Sequence, residues 1–108
     1  MVRQILTRMK FKTSLGKSAE LTLERKKHIF LFHPDLKLYF ERLKDVLLEP
    51  NGVRISKSDP KVLLFYKYFD TILNGKYIMV GIKTNGRWFI LTSYLTDKIL
   101  SGEKYAKE

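Results

Sequence analysis

Tyr77-Ile78-Met79-Val80-Gly81-Ile82-Lys83-Thr84-Asn85-Gly86-Arg87-Trp88-Phe89-Ile90-Leu91-Thr92-Ser93-Tyr94-Leu95-Thr96 holds two strand-like runs around an Asn-Gly pair. Asn-Gly is a strong hairpin signal, because both residues tolerate the positive φ angles of a type I′ turn. The reading is a strand over 77–84, a two-residue turn and a strand over 87–94. That turn sets a register in which Thr84 faces Arg87, Ile82 faces Phe89, Val80 faces Leu91 and Ile78 faces Ser93. These mostly apolar pairs are the expected core face. Pleating sends Lys83 with Trp88, Gly81 with Ile90, Met79 with Thr92 and Tyr77 with Tyr94 to the other face. A cation, a glycine, hydroxyls and aromatic rings there suggest a place where something docks.

Upstream of the hairpin the period changes. Residues 62–69, Val-Leu-Leu-Phe-Tyr-Lys-Tyr-Phe, read as a buried strand, and Val53-Arg54-Ile55-Ser56 as a short one. Asp70 to Gly75 reads as a connection. Leu36, Tyr39, Phe40, Leu43, Val46 and Leu47 recur at helical spacing over 36–48. Pro50-Asn51-Gly52 ends that helix. An earlier helix over 23–32 starts at Thr22, whose capping box is incomplete because Arg25 stands where Glu or Gln belongs. Pro34 breaks it, and Asp35 is a candidate cap for the next. Residues 3–12 read as a first strand, and Thr96 as the cap of a short helix through Leu100. The expected fold is α+β, with N-terminal helices on one face of a four-stranded antiparallel meander.

The 108 residues suit one domain, 1–108, with roughly 65% of its unfolded surface buried. Lys and Arg number 21 against 11 Asp and Glu, a net charge of +10. Such an excess favours nucleic acid or another anionic partner, although lysine-rich proteins also occur without one. There is no cysteine, which excludes disulfides, thiolate zinc sites and cysteine nucleophiles. No apolar run approaches the ~18 residues of a membrane helix, and no secretory signal opens the chain, so a cytoplasmic protein with no membrane partner is expected. Ser14-Leu15-Gly16-Lys17-Ser18 lacks the spaced glycines of a phosphate-binding loop. His28 and His33, the two histidines, are five apart rather than the four of a helical zinc pair. No metal and no cofactor are expected.

Metal-free RNA cleavage demands less. The 2′-OH of RNA is the nucleophile. The protein must take its proton, stabilise charge on the phosphate and protonate the leaving 5′-oxygen. Histidine suits proton transfer, Arg and Lys suit the phosphoryl group, and hydroxyls can hold phosphate oxygens. The candidate set is His28, Arg54, Lys83, Thr92 and Tyr94, with Lys67, Tyr77, Gly81 and Trp88 as candidates for binding substrate. Each alone has an ordinary structural explanation; chemistry requires several to meet on one face.

The segments Lys27-His28-Ile29, His33-Pro34-Asp35-Leu36, Asn51-Gly52-Val53-Arg54-Ile55-Ser56 and Tyr66-Lys67, followed by Tyr77-Ile78-Met79-Val80 and Phe89-Ile90-Leu91-Thr92-Ser93-Tyr94-Leu95-Thr96, together resemble the phage and mobile-element branch of the barnase–EndoU–colicin–RelE-like (BECR) nuclease superfamily. The resemblance covers roughly residues 20–102. It implies helices packed on a four-stranded antiparallel sheet and metal-independent endoribonuclease activity, often in toxins or phage effectors. It places the family's helical histidine on His28, its strand arginine on Arg54 and its hydroxyl pair on Thr92 and Tyr94. His33 falls on the family's His-Pro, with capping of the second helix as its expected role. Two other readings are a non-catalytic nucleic-acid-binding module, with Trp88, Tyr77 or Tyr94 stacking on bases, and a protein-interaction domain held by an acidic immunity or antitoxin partner.

Overall fold

The computed structural model describes residues 8–99, together with the backbone of Glu103–Lys104. Residues 3–7 of the expected first strand lie outside the described residues. In chain order the elements are β1 (Arg8–Lys12), β2 (Ser18–Thr22), α1 (Leu23–Phe32), a 3₁₀ segment (Pro34–Arg42), α2 (Leu43–Leu48), β3 (Gly52–Ile55), β4 (Val62–Phe69), β5 (Lys76–Lys83), β6 (Phe89–Thr96) and the two-residue β7 (Glu103–Lys104).

β3, β4, β5 and β6 form the expected antiparallel meander. The sheet is larger than four strands, however, and not wholly antiparallel. A β1–β2 hairpin joins the far side of β6, and β7 extends the sheet beyond β3. β2 meets β6 in parallel through the pair Glu20↔Phe89. The Glu20 N–H donates to the Trp88 carbonyl at 3.0 Å.

The helices pack on one face of this sheet. Ile29 of α1, Leu36 of the 3₁₀ segment, and Leu43, Val46 and Leu47 of α2 share a core with Val53, Leu63, Phe65, Ile78, Val80, Ile82 and Ile90. The strand residues in that set belong to rows such as Val53↔Phe65↔Val80 and Leu63↔Ile82↔Ile90, because directly paired residues share a face. Ala19 and Leu21 of β2 complete the same core.

α1 has the bounds expected from its cap. The Thr22 hydroxyl accepts from the Arg25 N–H at 3.0 Å, which satisfies one of the unpaired donors of the first turn. Thr22→Ala should therefore lower stability by about 1 kcal/mol in denaturant titration; an unchanged midpoint would deny the cap that role.

The helix expected over 36–48 is two pieces. Tyr39, at φ −120° and ψ 18°, leaves the helical region, and the piece before Leu43 is 3₁₀. Apolar spacings of three and four suit both helix types, so the buried positions are as expected while the helix type is not. Asp35 is a first-turn residue of the 3₁₀ segment rather than its cap, and His33 makes no side-chain capping bond. The short helix after Thr96 is also absent among the described residues: β6 runs through Thr96, and Asp97–Lys98 bend away. Leu100, the expected end of that helix, lies outside them.

The hairpin register differs too. The last β5–β6 pair is Lys83↔Phe89, leaving five residues in the loop. Thr84 turns sideways instead: its N–H and hydroxyl both donate to the Lys61 carbonyl, at 2.7 and 2.9 Å. Trp88 packs against the core from the loop. A bulge between Gly81 and Ile82 absorbs the offset, so the pairs become Gly81↔Thr92, Met79↔Tyr94 and Val80↔Ser93. Ile90 thereby joins the helix face, and Leu91 is left half-buried at the irregularity.

Candidate functional site

The face away from the helices carries the rows Arg54↔Leu64↔Gly81↔Thr92, Gly52↔Tyr66↔Met79↔Tyr94 and Tyr68↔Tyr77↔Thr96. Its centre is closed. Tyr66 and Met79 are buried, and Tyr77 packs edge-on against Tyr66 and Tyr68, with ring centroids 6.4 and 5.2 Å apart. Beyond β6 the chain returns to this side: Ile99 lies beside Gly52, and Glu103–Lys104 pairs with Arg54 and Ile55.

The accessible chemistry lies at the β6 edge. β2 ends at Thr22 and the chain continues as α1, whose last turn lines a common cavity with Thr92. His28, Ile29, Phe32, His33 and Thr92 line a cavity of about 290 Å³. The His33 ring lies 5.3 Å from the Tyr94 ring, and the His28 ring 4.7 Å from the Phe32 ring.

The presence of both histidines here follows from the helix end. Five residues apart on a continuous helix, they would diverge by about 140°. His33 instead occupies the C-cap at φ −133° and ψ 69°, its N–H donating to the Ile29 carbonyl at 2.8 Å, and Pro34 prevents continuation. The chain turns there, and His33 comes round to the side of His28. His33 is the site residue that sequence reasoning assigned elsewhere; the signal for it was the same Pro34 that ends the helix.

The other candidates disperse. Arg54 shares a row with Thr92 but stands three strands away, about 14 Å across the sheet; its guanidinium donates to the Val53 carbonyl at 3.4 Å. Lys83 forms an ion pair with Asp59. That hydrogen bond from Lys83, reinforced by the Lys61 N–H, holds the Asp59 carboxyl below its ordinary value. Lys67 points to the helix side and donates to the Glu49 carbonyl, at the end of α2, at 2.9 Å. Trp88 sits in the hairpin loop against the core. Gly81 is buried beside Thr92, and a methyl group there would meet neighbours only at 3.4 Å and beyond, so backbone crowding does not require a glycine.

Among the described residues, no group of three His, Asp or Glu side chains is arranged to hold a metal ion, and no helix is long and apolar enough to cross a membrane. Comparison of the chain with protein-family models, curated proteins and solved structures finds no match.

Proposed function

We propose that this chain is a metal-independent endoribonuclease with His28 and His33 as its proton-transfer pair. The carrying observation is that both histidines and Thr92 line one cavity, with Tyr94 against His33. One imidazole takes the proton of the RNA 2′-OH as that oxygen attacks the adjacent phosphorus. The P–O5′ bond breaks, and the other imidazole gives a proton to the departing 5′-oxygen. The products are a 2′,3′-cyclic phosphate and a 5′-hydroxyl. The Thr92 hydroxyl donates to a non-bridging phosphate oxygen, and the Tyr94 hydroxyl steadies the phosphate beside His33. The resemblance to the BECR superfamily and the net charge of +10 support RNA as the partner.

The test is incubation of the protein with mixed RNA in EDTA, with analysis of the product ends. Cleavage leaving cyclic phosphates is expected. Activity lost in EDTA and restored by added metal would sink the mechanism.

The positions of Arg54 and Lys83 favour a second reading, a non-catalytic module that grips RNA over a broad basic surface. Salt-sensitive binding with no cleavage would select it.

A further inference from the structure

α1 presents two phenylalanines with different circumstances. Phe30 is half-buried, packs edge-on against Phe40 at 5.5 Å and belongs to the margin of the core. Phe32 is 63% exposed although it ends the same helix. Its ring lies beside His28 and forms part of the wall of the cavity that Thr92 also lines. The fold makes little use of this ring, and leaving it in water forfeits the burial that a phenylalanine normally gains.

The cavity restricts what could cover it. About 290 Å³ is at the small end of ligand sites, room for one ring system and its sugar rather than a duplex. The chain's charge of +10 draws a phosphate polymer to its surface. A base within a duplex has both of its faces occupied by neighbours, whereas an unpaired base offers a free face for stacking on an aromatic side chain.

We infer that Phe32, flanked by His28, is a stacking platform for one unpaired nucleobase, which makes single-stranded RNA the ligand class of this cavity. This rests on the RNA-binding part of the reading above and specifies where the strand lies: the base on Phe32 sets the adjacent phosphate between the two histidines.

The test uses a short 2′-O-methyl oligoribonucleotide, which cannot be cleaved through its 2′ position, as a single strand and as a duplex. Binding is followed by fluorescence anisotropy in EDTA at fixed salt. Phe32→Ala should weaken single-strand binding by about 5–150-fold, Phe32→Trp should restore it, and neither should alter duplex binding or the melting temperature. Equal losses on both probes, or no loss on the single strand, would overturn the platform. Cleavage of unmodified RNA, measured in parallel, separates the two ideas. If Phe32 governs single-strand binding while wild type cleaves nothing, the platform stands and the nuclease falls. If wild type cleaves and Phe32→Ala leaves KM and binding unchanged, the nuclease stands and the platform falls.

Discussion

Replacing His28 with alanine should reduce the rate of RNA cleavage by roughly 10²–10⁴-fold, the usual contribution of a positioned acid or base. His28 is exposed and makes no packing contribution to the core, so the variant should melt with the wild type. His33→Ala should reduce cleavage comparably, because each histidine serves one end of the proton transfer. Lys37→Ala, on an exposed position of the 3₁₀ segment, is the control and should cleave normally. Two histidine variants with full activity per folded molecule would remove the proposed chemistry.

The second large effect concerns stability. Ile90→Ala should cost about 2–5 kcal/mol in denaturant unfolding, because Ile90 is 1% exposed and its loss leaves a cavity between sheet and helices. Leu91→Ala should cost clearly less, since Leu91 is half-buried at the bulge. The two-residue turn would give the reverse order, with Leu91 inside and Ile90 outside. The pair of variants therefore reads the β5–β6 register directly: a larger loss at Leu91 would restore the shorter turn.

Much of this fold is legible where local chemistry governs it. Thr22 and Pro34 bound α1, and the apolar run Val62–Phe69 is β4 to the residue. The alternation of Ile78, Val80 and Ile82 places them on the core side. What escapes the sequence depends on distant partners. Asn85-Gly86 favours a tight turn, but Lys61 captures Thr84 and β2 captures the Trp88 carbonyl, so the loop opens to five residues. β2 itself offers only Ala19 and Leu21 as apolar alternates, too few to announce a strand before its neighbours are known.

The candidate site divides along the same line. Thr92 and Tyr94 point to the face expected of them, because the wider loop and the bulge together shift their partners by two residues and so preserve alternation. Their company is different. Residue type marks Arg54 and Lys83 as phosphate ligands, yet sheet order sets Arg54 three strands from Thr92, and Asp59 is Lys83's partner. His33 passes as a helix-end residue until the C-cap angles show where its ring goes.

The parallel junction between β2 and β6 also orders events in time. The meander is built from neighbours in sequence, whereas Glu20 must find Phe89 across most of the chain. Contacts closing so large a loop are entropically costly until the intervening segment is organised. On the ribosome the disparity is sharper. The first hairpin emerges well before the strand that Glu20 joins. Until then Ala19 and Leu21 lack the sheet edge that buries them, and the wall on which His28 and Thr92 meet does not exist. The site forms only once β6 has been made, so a nascent chain would carry its histidines well before it could use them.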